Sequence, residues 1–324
     1  MAAPKVSVVM PAYKAAGFIA GAVASVRAQT LEDWELIVVD DCSPDDTAAA
    51  VEAAAEGDRR VRVVRAAQNG GVARARNLGN EHAGGDWIAV LDSDDAMEPQ
   101  RLKTLLEAAE AQGLDIIADD MALVPFDDPG ADGRPYLGIT ERVPVSLASW
   151  LDGNRAHLNT PVLGFLKPVF RRETILRTGT HYIPDLKVAE DCWFAADLLA
   201  QGARFEIHPG ALYRYAVRPA SLSRTRSNRN VFSMQRPVYA PFRARHAGRL
   251  TSEDLAALDR HEARLRDAEA YEGFIIAGRS GDILSAARSL AGRPLSARFM
   301  GMTIAAKAGK LAKKAGFRPA LRVR

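Results

Sequence analysis

The chain is poor in cysteine, in long apolar runs and in charge of one sign. Two cysteines among 324 residues, Cys42 and Cys192, make no disulfide framework. That usage suits a reducing compartment, and both are expected as small core residues. No stretch approaches the ~18 apolar residues of a spanning helix. Pro4-Lys5 leads straight into a strand pattern, with nothing resembling a signal peptide. A net charge of +3 does not argue for nucleic acid, and no recognised nucleic-acid module accompanies it. Glycine is missing where a dinucleotide-binding fold needs it. The first strand runs into Pro11-Ala12-Tyr13-Lys14-Ala15-Ala16-Gly17 rather than a Gly-x-Gly-x-x-Gly turn. The same loop lacks the glycine-rich, basic character expected of a nucleotidyltransferase. His157, His181 and His208 have no metal-ligand spacing and read as structural or surface residues. What remains is an ordinary soluble globular composition, long enough for one large domain or two.

Short apolar runs recur along the first part of the chain: Val6 to Met10, Glu35 to Val39, Val61 to Val64, Trp87 to Leu91 and Asp115 to Ala118. Each is the length of a buried strand. Segments with helical spacing lie between them. Phe18, Ile19, Ala22, Val23 and Val26 share one face, as do Leu102, Leu105, Leu106 and Ala109. Ser43-Pro44-Asp45-Asp46-Thr47 is a helix start, and Val72 to His82 reads as a helix after an Asn69-Gly70-Gly71 turn. Strands alternating with helices predict a largely parallel α/β sheet. From Pro125 to Pro144 the pattern breaks into Asp, Gly and Pro. Residues 145 to 228 are mixed, and Thr251 onward is helical in composition.

Trp87-Ile88-Ala89-Val90-Leu91 ends abruptly in Asp92-Ser93-Asp94-Asp95. In open α/β sheets, ligands bind at the carboxyl ends of strands. Three acids crowded there raise one another's pKa values, and a divalent cation relieves the repulsion. Hard cations such as Mg²⁺ and Mn²⁺ take a few carboxylate oxygens and share the rest of their shell with water and phosphates. Pro11-Ala12-Tyr13 and Asp40-Asp41 end two further strands. Parallel strands bring all three ends to one edge of the sheet, which points to one ligand site.

Five motifs in order carry a resemblance. They are Val-Ser-Val-Val-Met-Pro-Ala-Tyr, Val-Val-Asp-Asp-Cys-Ser-Pro-Asp-Asp-Thr, Asn-Gly-Gly-Val-Ala-Arg-Ala-Arg-Asn, Leu-Asp-Ser-Asp-Asp and Ala-Glu-Asp. The set resembles family 2 inverting glycosyltransferases of the GT-A fold, of the bacterial exopolysaccharide type. It covers roughly residues 5 to 225. The resemblance implies a GT-A-type, mostly parallel sheet flanked by helices, with a Rossmann-like nucleotide-binding half and a helical C-terminal extension. The expected division is a glycosyltransferase domain over 1–228 and a helical region with a basic tail over 229–324. Within the first, 1–124 binds the nucleotide sugar and 125–228 supplies the acceptor side and the base.

The implied reaction is inverting transfer from a nucleotide-diphosphate sugar, a UDP-sugar by expectation, to a saccharide or lipid-linked saccharide. By the same resemblance Pro11, Ala12 and Tyr13 lie against the base and ribose, and Asp41 bonds the base. Arg74 and Arg76 border the nucleotide. Asp92 and Ser93 touch the donor, and Asp92, Asp94 and Asp95 are the candidates for holding Mn²⁺ or Mg²⁺. Glu190 is expected at the substrate, and Asp191 is the catalytic base. Arg214 and Arg218 occupy the region after the last core strand, where many members carry His in place of Arg218. A non-catalytic nucleotide-sugar binder descended from a transferase would have lost the metal acids or the base, and this chain keeps them.

From Gly292 onward there are nine Lys or Arg and no acid, with Phe299, Met300, Met302, Ile304 and Leu311 interleaved. Such a segment suits the surface of an anionic bilayer. The expectation is a cytoplasmic protein with peripheral contact at the inner membrane face through residues 293–324.

Overall fold

The structure, a computed structural model, describes residues 3–128, 130–154, 161–218, 231–282 and 284–285. The basic stretch 293–324, with its expected membrane contact, and His157 lie outside the described residues. No described helix is long and apolar enough to cross a membrane.

The first apolar runs form β1 (Val6–Ala12), β2 (Trp34–Asp40), β3 (Val61–Arg65) and β4 (Trp87–Val90). Successive residues of a strand point to opposite faces, yet Val6, Val8, Val9 and Met10 are all fully buried. Both faces of β1 are therefore covered, which is why the run is apolar throughout rather than alternating. The strands pair in the order β3-β2-β1-β4, all parallel. Helices α1 (Ile19–Arg27), α2 (Thr47–Ala55) and α3 (Val72–His82) connect them. Helix α1 buries Ile19, Ala22, Val23 and Val26, the spacing of one helical face.

Helix α3 lies close to the sheet because residue 79 is glycine. A β-carbon there would collide with Val9 Cγ1 and meet Val39 Cγ2 at 3.3 Å. At the end of β2, Cys42 is exposed rather than part of the core. Its N–H donates to the Asp40 carbonyl at 2.8 Å in a tight turn, with φ at +56°, which carries the side chain off the sheet. Cys192 is buried, as expected, and burial pushes its thiol up to about 12.

The second half continues with β5 (Ala96–Met97), α4 (Arg101–Gln112), β6 (Ile116–Pro125), β7 (Arg134–Pro135), β8 (Val143–Val145) and α5 (Leu147–Gly153). After a 3-10 turn at Leu163–Phe165 come β9 (Val169–Arg171), α6 (Arg172–Thr178), α7 (Glu190–Ala200) and β10 (Phe205–Val217). The sheet extends from β4 through β9, β6 and β10 to β5. Strand β9 is antiparallel to both β4 and β6, so the sheet is mixed in this half. Val169 stands opposite Ala89. The residues that enter β9 consequently arrive beside the end of β4, and they approach it from the opposite chain direction.

Two helices close the described chain, α8 (Val231–Arg245) and α9 (Ser252–Ser280). Thr251 and Asp254 start α9 with a reciprocal capping box. Both helices seat on α7 through Trp193. Its ring lies 5.1 Å from Tyr239 and 5.3 Å from Phe242, and its Nε1 donates to Gln235 Oε1 at 3.0 Å. His261 completes the cluster, 2% exposed, with Nδ1 2.7 Å from the Tyr239 hydroxyl.

Burial, with Arg264 nearby, pushes the His261 imidazole down to about 4. An unfolded imidazole titrates near 6.5, so the unfolded chain binds more protons between the two values. Stability is then complete above pH 6.5 and falls as the pH drops toward 4. At about 1.36 kcal/mol per pKa unit the loss from pH 7 to pH 5 is roughly 2 kcal/mol. Urea unfolding at the two pH values should show a shallower loss in His261→Gln, which keeps a polar side chain but does not titrate. Equal losses in the two proteins would remove His261 as the cause.

Candidate active site

At the end of β1, Ala12 is buried, Pro11 is half-buried and Tyr13 is 46% exposed. Lys14 Nζ lies 5.4 Å from the Tyr13 ring centroid. Tyr13 thus presents a half-exposed ring beside the carboxyl ends of the sheet. Asp41 is 4% exposed and braces the start of α3. Its two carboxylate oxygens accept from the Gly70 and Gly71 N–H groups, both at 2.8 Å, and its carbonyl accepts from Asn69 Nδ2 at 3.0 Å. Asp40 closes the turn after β2 by accepting from the Ser43 N–H at 3.0 Å.

The two arginines of α3 part company. Residues two apart on a helix do not face the same way. Arg74 points outward and pairs with Asp185 at 3.0 Å. Arg76, one turn before Gly79, points inward and is 2% exposed. Its Nη1 donates to Glu190 Oε1 at 3.2 Å and also to Asp191 Oδ1, and its Nη2 donates to Asp92 Oδ1 at 2.9 Å. Lys167, just ahead of β9, completes the circuit. Its Nζ lies 3.0 Å from Asp92 Oδ2 and 3.6 Å from Asp191 Oδ2. Asp92, Arg76, Asp191 and Lys167 therefore form a closed ring of alternating charge.

Glu190 and Asp191 occupy the first turn of α7, where the helix dipole favours acids. Ala189 before them is left-handed, with φ at +63°. Asn77 of α3 fixes the approach to this helix. Its side chain bonds both the carbonyl and the N–H of Tyr182, at 2.7 and 2.8 Å.

The three acids after β4 diverge. Asp92 gives both oxygens to the two cations. Burial would raise its pKa, but Lys167 and Arg76 hold it down at about 2. Asp95 is 4% exposed and turned inward. The Tyr213 hydroxyl donates to its Oδ2 and the Ala216 N–H to its Oδ1, each at 2.8 Å. Tyr213 also accepts from the Asp92 N–H at 3.1 Å, so β10 holds the whole loop. Burial and the charges of Asp92 and Asp94 push the Asp95 carboxyl well above the usual range. Asp94 faces outward, with Arg218 Nε 3.2 Å from its Oδ2. Burial and Asp92 raise its pKa as well. Ser93 between them is half-buried. Among the described residues no group of three His, Cys, Asp or Glu side chains converges as a metal site. Asp94 is the acid of this turn that belongs neither to the cation ring nor to the β10 anchor, with 30% of its side chain exposed. The donor set fits a divalent ion that takes one protein carboxylate and completes its shell with water and phosphate oxygens.

Burial and Asp191 push the Glu190 carboxyl up. Burial opposes the charges on Arg76 and Lys167, but the acids around them prevail and keep both cations protonated. Asp191 keeps 18% of its side chain exposed. The ring thus joins an acid at the end of β4 to a partly exposed acid at the start of α7. Lys167, Asn77 and Tyr213 escape a sequence reading. The one signal was Lys167 itself, a charge inside Leu166-Lys167-Pro168-Val169-Phe170, where a cation is buried only with partners.

A model of glycosyl transferase family 2 matches residues 7–137. The succinoglycan biosynthesis protein ExoO of Rhizobium meliloti (strain 1021) is 32% identical over 318 residues, 96% of this chain and 88% of that protein. ExoU of the same organism, also a succinoglycan biosynthesis protein, is 36% identical over 277 residues, 83% of this chain and 78% of that protein. Among solved structures, S. aureus TarS 1-349 in complex with UDP-GlcNAc has a TM-score of 0.62 at 19% identity, covering 88% of this chain and 90% of that one. The mannosyltransferase PcManGT from Pyrobaculum calidifontis, in complex with GDP-Man and Mn²⁺, has a TM-score of 0.58 at 21% identity, covering 95% and 80%. At such identities the structural likeness speaks for the fold alone. The sequence likeness to ExoO reaches further, because it runs almost from end to end, and it makes this chain a member of glycosyltransferase family 2.

Proposed function

We propose that the chain transfers a sugar, with inversion, from a nucleotide-diphosphate sugar to a hydroxyl of a saccharide or lipid-linked saccharide in surface polysaccharide synthesis. The observation that carries this reading is the shared cation ring. Asp92, at the end of β4 on the donor side, and Asp191, on a separate helix, are both held by Arg76 and Lys167. A single displacement needs the base and the leaving group on opposite faces of the sugar. Acids from two distant segments, fixed relative to each other by buried cations, support that reading. Two relatives take their names from succinoglycan biosynthesis, which supports the polysaccharide class.

The proposed roles combine this geometry with the family resemblance. Tyr13, with Pro11 and Ala12, offers a surface for the nucleobase and ribose. Asp41 shapes that end by holding the start of α3. Asp92 and Ser93 face the donor, and Asp94 is the carboxylate for Mn²⁺ or Mg²⁺. When bound, such an ion neutralises charge developing on the departing diphosphate. Asp191 accepts the proton of the acceptor hydroxyl during attack. Glu190 shares Arg76 with it. Arg76 keeps Asp92 and Asp191 in register, and Asp95 anchors the loop to β10.

Calorimetry with a panel of nucleotide sugars, in Mn²⁺, in Mg²⁺ and in chelator, tests the reading. One nucleotide sugar is expected to bind, more tightly with metal than without. Asp94→Ala is expected to lose the metal-dependent increment, about tenfold or more if one ligand of the ion is removed. Failure of every nucleotide sugar to bind under any condition would overturn the proposed reaction. Binding with no transfer to any acceptor would leave a nucleotide-sugar binder.

A further inference from the structure

Arg218 leaves the end of β10 and enters a clamp of two aromatic rings. Its guanidinium carbon lies 3.9 Å from the Phe18 ring centroid and 4.1 Å from that of Phe126. The two rings stand 6.1 Å apart, edge to face. Phe18 comes from the start of α1 and Phe126 from the end of β6, so three separate segments build this arrangement. Rings against a guanidinium satisfy its charge through their faces but offer nothing to its N–H groups. Those groups radiate from its edge.

Along that edge the pairing is incomplete. Nε faces Asp94 Oδ2 at 3.2 Å without the alignment of a hydrogen bond. Nε and Nη2 are both buried and have no hydrogen-bond partner among the described residues. Buried N–H groups of a cation are costly to leave unpaired, so their absence of acceptors marks a missing one. A planar guanidinium matches carboxylate and phosphate oxygens. Asp94 also feels the charge of Asp92, and a cation beside it offsets that repulsion.

We propose that Arg218 is the resident cation of Asp94 in the donor-free protein, and that it competes with the divalent ion for this carboxylate. When the donor enters, the unpaired edge of Arg218 takes diphosphate oxygens. This chain then carries part of the diphosphate's counter-charge as a fixed side chain, which a chelator cannot remove. The inference rests on the donor reading under Proposed function for the identity of the anion. The competition at Asp94 does not depend on that reading.

The test uses the full chain and Mn²⁺ alone, with free ion counted by electron paramagnetic resonance. Arg218→Met keeps apolar bulk between the rings and removes the competitor. Donor-free Arg218→Met is expected to bind Mn²⁺ about tenfold more tightly than the wild type, the ordinary size of coupling between two ligands of one site. Equal affinity, or weaker affinity in the variant, overturns the proposal. So does an absence of Mn²⁺ binding in both proteins. If Arg218→Met does not fold, Phe126→Leu decides. It opens one face of the clamp, keeps the charge, and is expected to raise Mn²⁺ affinity in the same direction. A second arm measures UDP and GDP binding in chelator. The wild type should retain binding that Arg218→Met loses by tenfold or more, and equal retention overturns the diphosphate role. Failure of the wild type to bind either nucleotide even with Mn²⁺ removes that role together with the donor reading. The Mn²⁺ arm still decides the competition.

Discussion

Asp191→Asn is expected to slow sugar transfer about a thousandfold, within the range for removing a positioned general base. Donor affinity should stay within about threefold, because in the proposed role Asp191 acts on the acceptor and not on the nucleotide. The substitution is nearly isosteric. Asparagine can still accept from Arg76, so the ring keeps most of its shape. What disappears is a carboxylate oxygen able to take a proton. In the native protein the Asp191 side chain contacts both cations and is still partly open, as the proposed base role requires. Initial rates with the preferred donor and acceptor, beside calorimetry of the donor alone, separate the two effects. A parallel fall in rate and donor affinity would assign Asp191 to donor binding. Full activity in Asp191→Asn with loss in Glu190→Gln would move the base one residue earlier.

The largest effect on stability is expected at Arg76. One buried guanidinium holds Asp92, Glu190 and Asp191, drawn from two distant parts of the chain. Arg76→Met leaves these acids with Lys167 alone, and no contact links Lys167 to Glu190 among the described ion pairs. Removing one partner of a buried ion pair costs about 3–5 kcal/mol, mostly through the charge left uncompensated. The sign of the pH dependence follows. Glu190 already has a raised pKa, and losing Arg76 raises it further. A carboxyl that is harder to ionise when folded favours the folded state at low pH. The variant should therefore recover part of its loss between pH 7.5 and pH 5.5. Urea unfolding at both pH values measures this. A loss below about 1 kcal/mol, the size of an exposed ion pair, would mean that water reaches the ring. Arg76→Lys should rescue poorly, because a single ammonium cannot replace a fork that serves three acids.

Much of this architecture lies open in the amino-acid order. The apolar runs from β1 to β4 and the 3–4 spacing of α1 are local patterns, and local patterns specify strand and helix. Strand ends bearing Tyr13, Asp41 and Asp92 also show in the order of residues, because parallel pairing brings such ends together whatever the loops between them. The acid pair at the start of α7 was legible for the same reason, with residue type and helix start adjacent in sequence.

The division of labour among those residues was not legible. Asp92, Asp94 and Asp95 look alike in a row, yet they meet the cation ring, Arg218 and the β10 anchor respectively. A turn directs neighbouring side chains to different sides, and only their partners reveal which. Arg74 and Arg76 look like one basic face, although their spacing on a helix forbids it. Lys167 gave little sign of its place. It reaches Asp92 because β9 runs antiparallel between β4 and β6 and delivers its leading residues to the edge where β4 ends. Strand and helix are settled by neighbours within a few positions. Which cation meets which acid depends on how segments far apart in sequence are threaded through one sheet, and no local pattern carries that information.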